Sequence, residues 1–83
     1  MDVMSAIISA AKNKHTVTIQ YRDAKGQVST RVTEPYELRE DSYWGYCHMR
    51  GSIRNFKLAS ILNATEDPTT FTPRWPIQIS QGE

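Results

Sequence analysis

Between Asn13 and Thr16 the apolar period of this chain changes from that of a helix to that of a strand, and no later run returns to a helical period. Upstream of the change, Met4, Ile7, Ile8 and Ala11 recur at i, i+3, i+4 and i+7, which predicts a short helix over residues 3–12 with Asp2 placed to cap its first turn. Downstream, TVTIQYR alternates strictly, with Val17, Ile19 and Tyr21 on one face and Thr18, Gln20 and Arg22 on the other. Asp23-Ala24-Lys25-Gly26 has the residues of a hairpin turn, with Gly26 at the φ > 0 position, and QVSTRVT alternates again through Val28, Thr30 and Val32. Pro35 is expected to end the pairing of this second strand, leaving Tyr36 to Glu40 as a short extended piece. Asp41-Ser42 then turns the chain into a third strand, YWGYCHM, with a bend or bulge at Gly45. Arg50-Gly51-Ser52 signals another turn, IRNFKL a fourth strand and SILNATE a shorter fifth.

One helix followed by about five closely spaced short strands predicts a mainly β domain: a small, strongly bent sheet closing into an SH3-like or Sm-like barrel, because closure protects edges that an open sheet of this size leaves exposed. With 83 residues there is room for one domain, placed at 1–72, and an extended tail at 73–83 that holds Pro73, Trp75 and Pro76. A single cysteine, Cys47, excludes an intramolecular disulfide and a Cys-based zinc site, which leaves homo-oligomerisation as the remaining common support for so small a core. Trp75 would dock on its own barrel or on a neighbouring subunit, and the second is favoured. No run approaches a membrane span, and the start lacks the basic and long apolar regions of a signal peptide, so a cytoplasmic protein is expected.

The net charge of +1 says nothing about partners, but its distribution does. Residues 34–41 carry four of the nine acids, whereas residues 42–65 carry none and hold His48, Arg50, Arg54 and Lys57 among Tyr43, Trp44, Tyr46 and Phe56. Cations interleaved with flat rings suit a nucleic-acid surface, where they meet phosphates and bases, and the same composition suits a half-buried hairpin. On the third strand the pleat separates Tyr43, Gly45, Cys47 and Met49, expected to face the core, from an exposed stripe of Trp44, Tyr46, His48 and Arg50. That stripe would stack bases and contact phosphate, or bury itself under the helix or against another subunit. Arg31 lies on the polar parity of its strand, opposite Val28 and Val32, pointing outward to an anion or to Glu34 or Glu37. Arg54 shares parity with Phe56, so either it sits at the barrel rim or a bulge at Gly51-Ser52 turns it outward. Lys57 and Tyr21 are secondary candidates, Tyr21 as a core ring with its hydroxyl at the rim. Cys47 and His48 are adjacent on a strand and point to opposite faces, which excludes a nucleophile and base pair, and no metal-ligand spacing, Walker loop or dinucleotide motif occurs. No enzyme, metal or cofactor is expected.

The order of these pieces resembles the WYL domain family: VTIQYRDAKGQVSTRVTEPYEL followed by YWGYCHMRGSIRNFKLASI, with Tyr21, Gly26, Arg31 and Pro35 four residues later, Gly45-Tyr46-Cys47, and Arg54-x-Phe56 leading to Ile61. The resemblance covers residues 6 to 72. The Trp-Tyr-Leu triplet that names the family falls at Asp41-Ser42-Tyr43, and the Arg that usually precedes the closing Ile is Ser60. The resemblance implies a helix plus an Sm-like barrel serving as a regulatory module for single-stranded DNA or RNA or a nucleotide-like effector. Such domains belong to bacterial transcription regulators, phage-defence systems and CRISPR-associated systems. The expected site is Arg31, Tyr46, His48 and Arg54, supported by Trp44, Lys57, Tyr21 and Arg50, with a protein partner or self-assembly carrying the response. A protein-interaction module with no nucleic-acid ligand is the alternative.

Overall fold

The structure, a computed structural model, describes residues 2–79. Helix α1 spans Val3–Asn13; Asp2 accepts the Ser5 amide at 2.7 Å, and Lys14 ends the helix in the left-handed region at φ 56. The five strands are β1 (His15–Arg22), β2 (Val28–Arg39), β3 (Ser42–Cys47), β4 (Ser52–Lys57) and β5 (Ile61–Thr70), with a one-turn 3-10 segment, Leu58–Ser60, between the last two. They form one antiparallel sheet in the order β4-β3-β2-β1-β5. The expected class, mainly β with one N-terminal helix and five strands, is the observed one.

The sheet is strongly curled. In a flat sheet β1 and β4 would lie three spacings apart, about 14 Å. Instead the rings of Tyr21 on β1 and Phe56 on β4 meet edge to face at 5.0 Å, and the Lys57 amide donates to the Tyr21 hydroxyl at 3.4 Å. The concave face carries Val17, Ile19, Tyr43, Cys47 and Phe56, and Ile7, Ala10 and Ala11 of α1 pack into it. Alanines let the short helix approach closely, which is how one helical face suffices for the core.

Three strand boundaries differ from expectation. Pro35 does not end β2. It pairs with Gly45, and the strand runs to Arg39 through a bulge at Pro35–Glu37. Pro has no N–H to give the ladder, and a bulge is where a strand tolerates that loss. The irregularity expected at Gly45 therefore lies on the opposite strand. Tyr36 is the extra residue, so Glu34, Tyr36 and Glu37 all fall on the convex side, and Leu38 returns to face Tyr43. Met49, expected in the core, is 64% exposed because β3 ends at Cys47 and Met49 belongs to the turn. The fifth strand is longer than expected, ten residues, and carries two of the anchors for the rest of the fold.

Those anchors are Glu66 and Asp67. Glu66 accepts from Ser9 and Asn13 of the helix and pairs with His15 at 2.7 Å; Asp67 accepts from the hydroxyls of Thr16 and Thr18. Partial burial pushes the Glu66 carboxyl up, but hydrogen bonds from Ser9, Asn13 and His15 outweigh it and hold the group below its ordinary 4.5. A carboxylate held below its unfolded value stabilises the fold fully above that value and loses its contribution as the pH falls through the folded one. Glu66→Gln should therefore cost about 1 kcal/mol at pH 7. Thermal melts as a function of pH should show a shallower acid limb than that of the wild type.

Candidate ligand site at the open end of the curled sheet

Two hairpin tips, residues 23–27 and 48–51, lie at the same end of the sheet. The first is closed by Asp23, whose carboxylate accepts the amides of Lys25 and Gln27 at 2.9 Å, with Gly26 at φ 84. The second is closed by the Gly51 amide on the Cys47 carbonyl at 2.7 Å, with Gly51 at φ 68. Both glycines occupy backbone regions that side chains disfavour.

The concave-face positions nearest these tips are Tyr21 on β1, Ser29 and Arg31 on β2, Cys47 on β3, and Ser52 and Arg54 on β4. Register fixes this grouping: Tyr21 faces Ser29, Cys47 faces Ser52 and Gly45 faces Arg54. No shift interrupts the β3–β4 ladder, so Arg54 stays on the face of Phe56 and is exposed at the rim, the first of the two alternatives open from the sequence. Arg31 does not take the outward direction expected of it. It shares the concave face with Thr33, and Val28 and Val32 are the exposed residues, at 50% and 39%. The cause is that this half of β2 has little packed on its convex side, so the two valines carry strand propensity and not core. The Arg31 Nε donates to the Ser29 hydroxyl at 3.0 Å, and its Nη1 lies 3.6 Å from the Cys47 sulfur. Neither Arg31 nor Arg54 forms an ion pair among the described residues. Burial pushes the Cys47 thiol up, but the amides of Arg50 and Met49 and the Arg31 guanidinium outweigh it and hold the thiol below its ordinary 9.0.

The floor of the site is Gly45 over Tyr43. Tyr43 is fully buried, its hydroxyl hydrogen-bonded to Thr33 at 2.8 Å while Thr33 donates to the Val17 carbonyl at 2.9 Å. A Cβ on Gly45 would come within 2.6 Å of the Tyr43 hydroxyl oxygen. Arg22 at the end of β1, Lys25 on the first tip and Arg50 on the second add exposed cations around this end, while Glu37, Glu40 and Asp41 lie at or near the opposite hairpin. Arg22, Lys25, Ser29 and Ser52 are not among the candidates that the sequence singles out. Their signal was the pairing of two turn motifs, which brings both tips to one end.

The remaining candidates lie elsewhere. Trp44, Tyr46 and His48 are on the convex face, where residues of the chain's own tail lie against Tyr46 and His48 stays exposed. Arg74 lies 3.9 Å over the Tyr46 ring, His48 pairs with Glu34 at 2.9 Å, and Trp75 packs on Tyr36 and Tyr46 of its own chain at 5.3 and 6.1 Å. Trp75 thus docks on its own domain, one of the two alternatives open from the sequence, and keeps 47% of its surface exposed. Lys57 is exposed at the far end of β4, and its side chain lies on the convex parity. Among the described residues no group of His, Cys, Asp and Glu could hold a metal ion, and no helix is long and apolar enough to cross a membrane.

A helix packed into the concave face of a curled five-stranded sheet, with Arg31 and Arg54 on that same face, describes a small, mainly β domain. The family profile described as the WYL domain matches residues 2–66, and the chain belongs to that family. Two curated relatives, from Escherichia coli strain KTE188 and from Escherichia coli, are each described as the DNA-binding transcriptional repressor CapW; each is 35% identical over 68 residues. The match covers 76% of this chain and spans only 23% of the length of either relative. Among solved structures, the proteasome accessory factor B/C (PafBC) of Arthrobacter aurescens superposes with a TM-score of 0.74 at 21% identity, over 95% of this chain and 14% of that one. At that identity the likeness speaks for the fold alone.

Proposed function

We propose that this domain is the sensing module of a transcription regulator and takes single-stranded nucleic acid or a nucleotide-like anion at the open end of its sheet. The observation that carries the reading is the pair Arg31 and Arg54, on one concave face and without a carboxylate partner among the described residues. Guanidiniums without a carboxylate partner fork onto phosphate. Tyr21 and the hydroxyls of Ser29 and Ser52 supply a ring edge and neutral donors beside them. Arg22, Lys25 and Arg50 extend the positive end beyond the rim, which suits a ligand with more than one phosphate. The usual cation before the closing Ile is Ser60 here, so Arg31 and Arg54 carry the anion with less help than the family pattern implies. The relatives named as DNA-binding repressors support a regulatory role, exercised through a protein partner, a second copy or further sequence. The module binds and does not catalyse.

Fluorescence anisotropy with labelled ten-nucleotide DNA and RNA, competed by nucleoside diphosphate, tests this. Arg31→Ala and Arg54→Ala should each weaken binding about tenfold or more. Arg39→Ala, whose guanidinium is paired to Glu37 at the other end, should leave it unchanged. Affinity should fall with salt at a slope of about −0.7 per phosphate contacted. Binding that is indifferent to both arginines removes the basis of the reading.

A further inference from the structure

On the convex face, opposite the ligand site and independent of it, residues 73–79 lie along β2 and β3 as an extended strap. Its attachment centres on Glu34, 3% exposed, which accepts Arg74 Nε and Nη2 at 3.1 and 3.2 Å, the Tyr36 hydroxyl at 2.8 Å and His48 Nε2 at 2.9 Å. The Arg74 amide donates to the Tyr36 hydroxyl at 2.9 Å. Further along, the Gln78 amide donates to the Tyr36 carbonyl at 2.7 Å, and Gln78 makes a parallel bridge with Glu37. That bridge uses an open edge: pairing of β1 with β2 stops at Val17 and Thr33, so residues 34–39 have no strand neighbour on that side.

The surface thus recognises three things at once. A buried carboxylate selects a cation, Tyr36 and Tyr46 select an aromatic ring, and a free strand edge selects extended backbone. The strap fits the chemistry but fills the space poorly. Among the described residues, Trp75 remains 47% exposed, a cleft of about 380 Å³ stays open between Tyr36, Glu37, Ile53, Trp75, Pro76 and Gln78, and the buried Trp44 Nε1 has no hydrogen-bond partner. A segment whose only task is to finish the fold would close that cleft.

We propose that this convex groove is a docking surface for an extended Arg-aromatic-Pro segment of a partner protein, and that residues 73–79 are its resident placeholder. A second copy's tail offers only the contacts the tethered tail already makes, at a lower effective concentration, whereas a partner that fills the cleft and continues along the β2 edge gains what the tail leaves unused.

The test uses the full chain carrying Arg74→Ala and Trp75→Ala, which empties the groove, and a synthetic peptide of residues 72–79 as probe. Calorimetric titration should show saturable binding at least tenfold tighter than to the wild type. The affinity should fall at least tenfold when the peptide arginine is replaced by Ala, and again when Glu34→Gln is added to the protein. If circular dichroism shows the double variant unfolded, Trp75→Ala alone should give the same ordering with a smaller gain. The assignment is overturned by absence of binding at millimolar peptide, by affinity independent of Glu34, or by a wild-type dimer with exchanged tails. Oligonucleotide binding is unaffected in every arm, so failure here is distinguishable from failure of the proposed function.

Discussion

Gly45→Ala should lower stability by about 2–3 kcal/mol, a loss of roughly 10–20 °C in Tm for a domain of this size. The added methyl would meet the Tyr43 hydroxyl oxygen at 2.6 Å, its Cζ at 2.8 Å and the Glu34 carbonyl oxygen at 3.2 Å. None of these gives way easily. The Tyr43 ring is fully buried, stacked on Phe56 at 5.9 Å and held through its hydroxyl by Thr33. Glu34 is fixed by the ladder to Tyr46. A compensating change isolates the cause: Tyr43→Phe alone should cost about 1 kcal/mol through the lost hydrogen bond, yet in the Gly45→Ala background it should recover part of the loss. Denaturant melts of the two single variants and the double variant complete the cycle. Additive losses would show that the clash is not with the Tyr43 hydroxyl oxygen.

Glu34→Ala is the second large expected effect, about 2–3 kcal/mol, because one carboxylate serves Tyr36, His48 and Arg74 and its loss leaves the buried Tyr36 hydroxyl without its acceptor. Burial pushes the Glu34 carboxyl up, but hydrogen bonds from Arg74, Tyr36 and His48 overcome that and hold it below its ordinary 4.5. Its contribution is therefore complete above that value and disappears as the pH falls through the lowered one. Tyr36 runs the other way. Burial first, and then the hydrogen bond to Glu34 and its charge, push its phenol up to about 12 from 10.0 against the opposing Arg74 amide. The folded state resists phenolate, so this contribution is complete below pH 10 and is lost as the pH rises toward 12. Urea midpoints across pH should show both limbs in the wild type, and Glu34→Ala should flatten the acid one. Trp75 emission should shift toward that of a solvated indole in the variant; an unchanged spectrum would mean the strap does not depend on Glu34.

The element order was legible because hydrophobic period and turn chemistry are local. The switch at Asn13, the turn at Gly26 and the alternation of β1 each follow from neighbours within a few residues. Two features were not legible, and both are non-local. Pro35 looks like a stop, and only the pairing of Glu37 with Trp44 shows that the chain bulges past it. That single extra residue gathers Glu34, Tyr36 and Glu37 on one face, which no alternation rule predicts. The tail was the other. Arg74 and Trp75 sit in a proline-rich stretch with no period, and what orders them is a carboxylate forty residues earlier.

The site shows the same division. Tyr21 as a half-buried ring follows from its strand, whereas the parity of Arg54 with Phe56 leaves the rim and a bulge both open, and only the unbroken β3–β4 register decides for the rim. The valines of β2 point Arg31 outward by alternation, whereas in this strand Thr33 and Arg31 face inward and Val28 and Val32 face out. The aromatic stripe of Trp44 and Tyr46 is present as a face, and Tyr46 carries Arg74 and Trp75 of the chain's own tail.

The central claim is that anions bind on the concave face at the two hairpin tips and not on the convex aromatic face. Amide and side-chain chemical-shift mapping during titration with a short single-stranded oligonucleotide tests it directly. The account predicts saturable shifts at Tyr21, Ser29, Arg31, Cys47, Ser52 and Arg54, suppressed by added salt and absent in the Arg31→Ala/Arg54→Ala protein. Shifts centred on Tyr46, His48 and Trp75, or none at low salt, would contradict it.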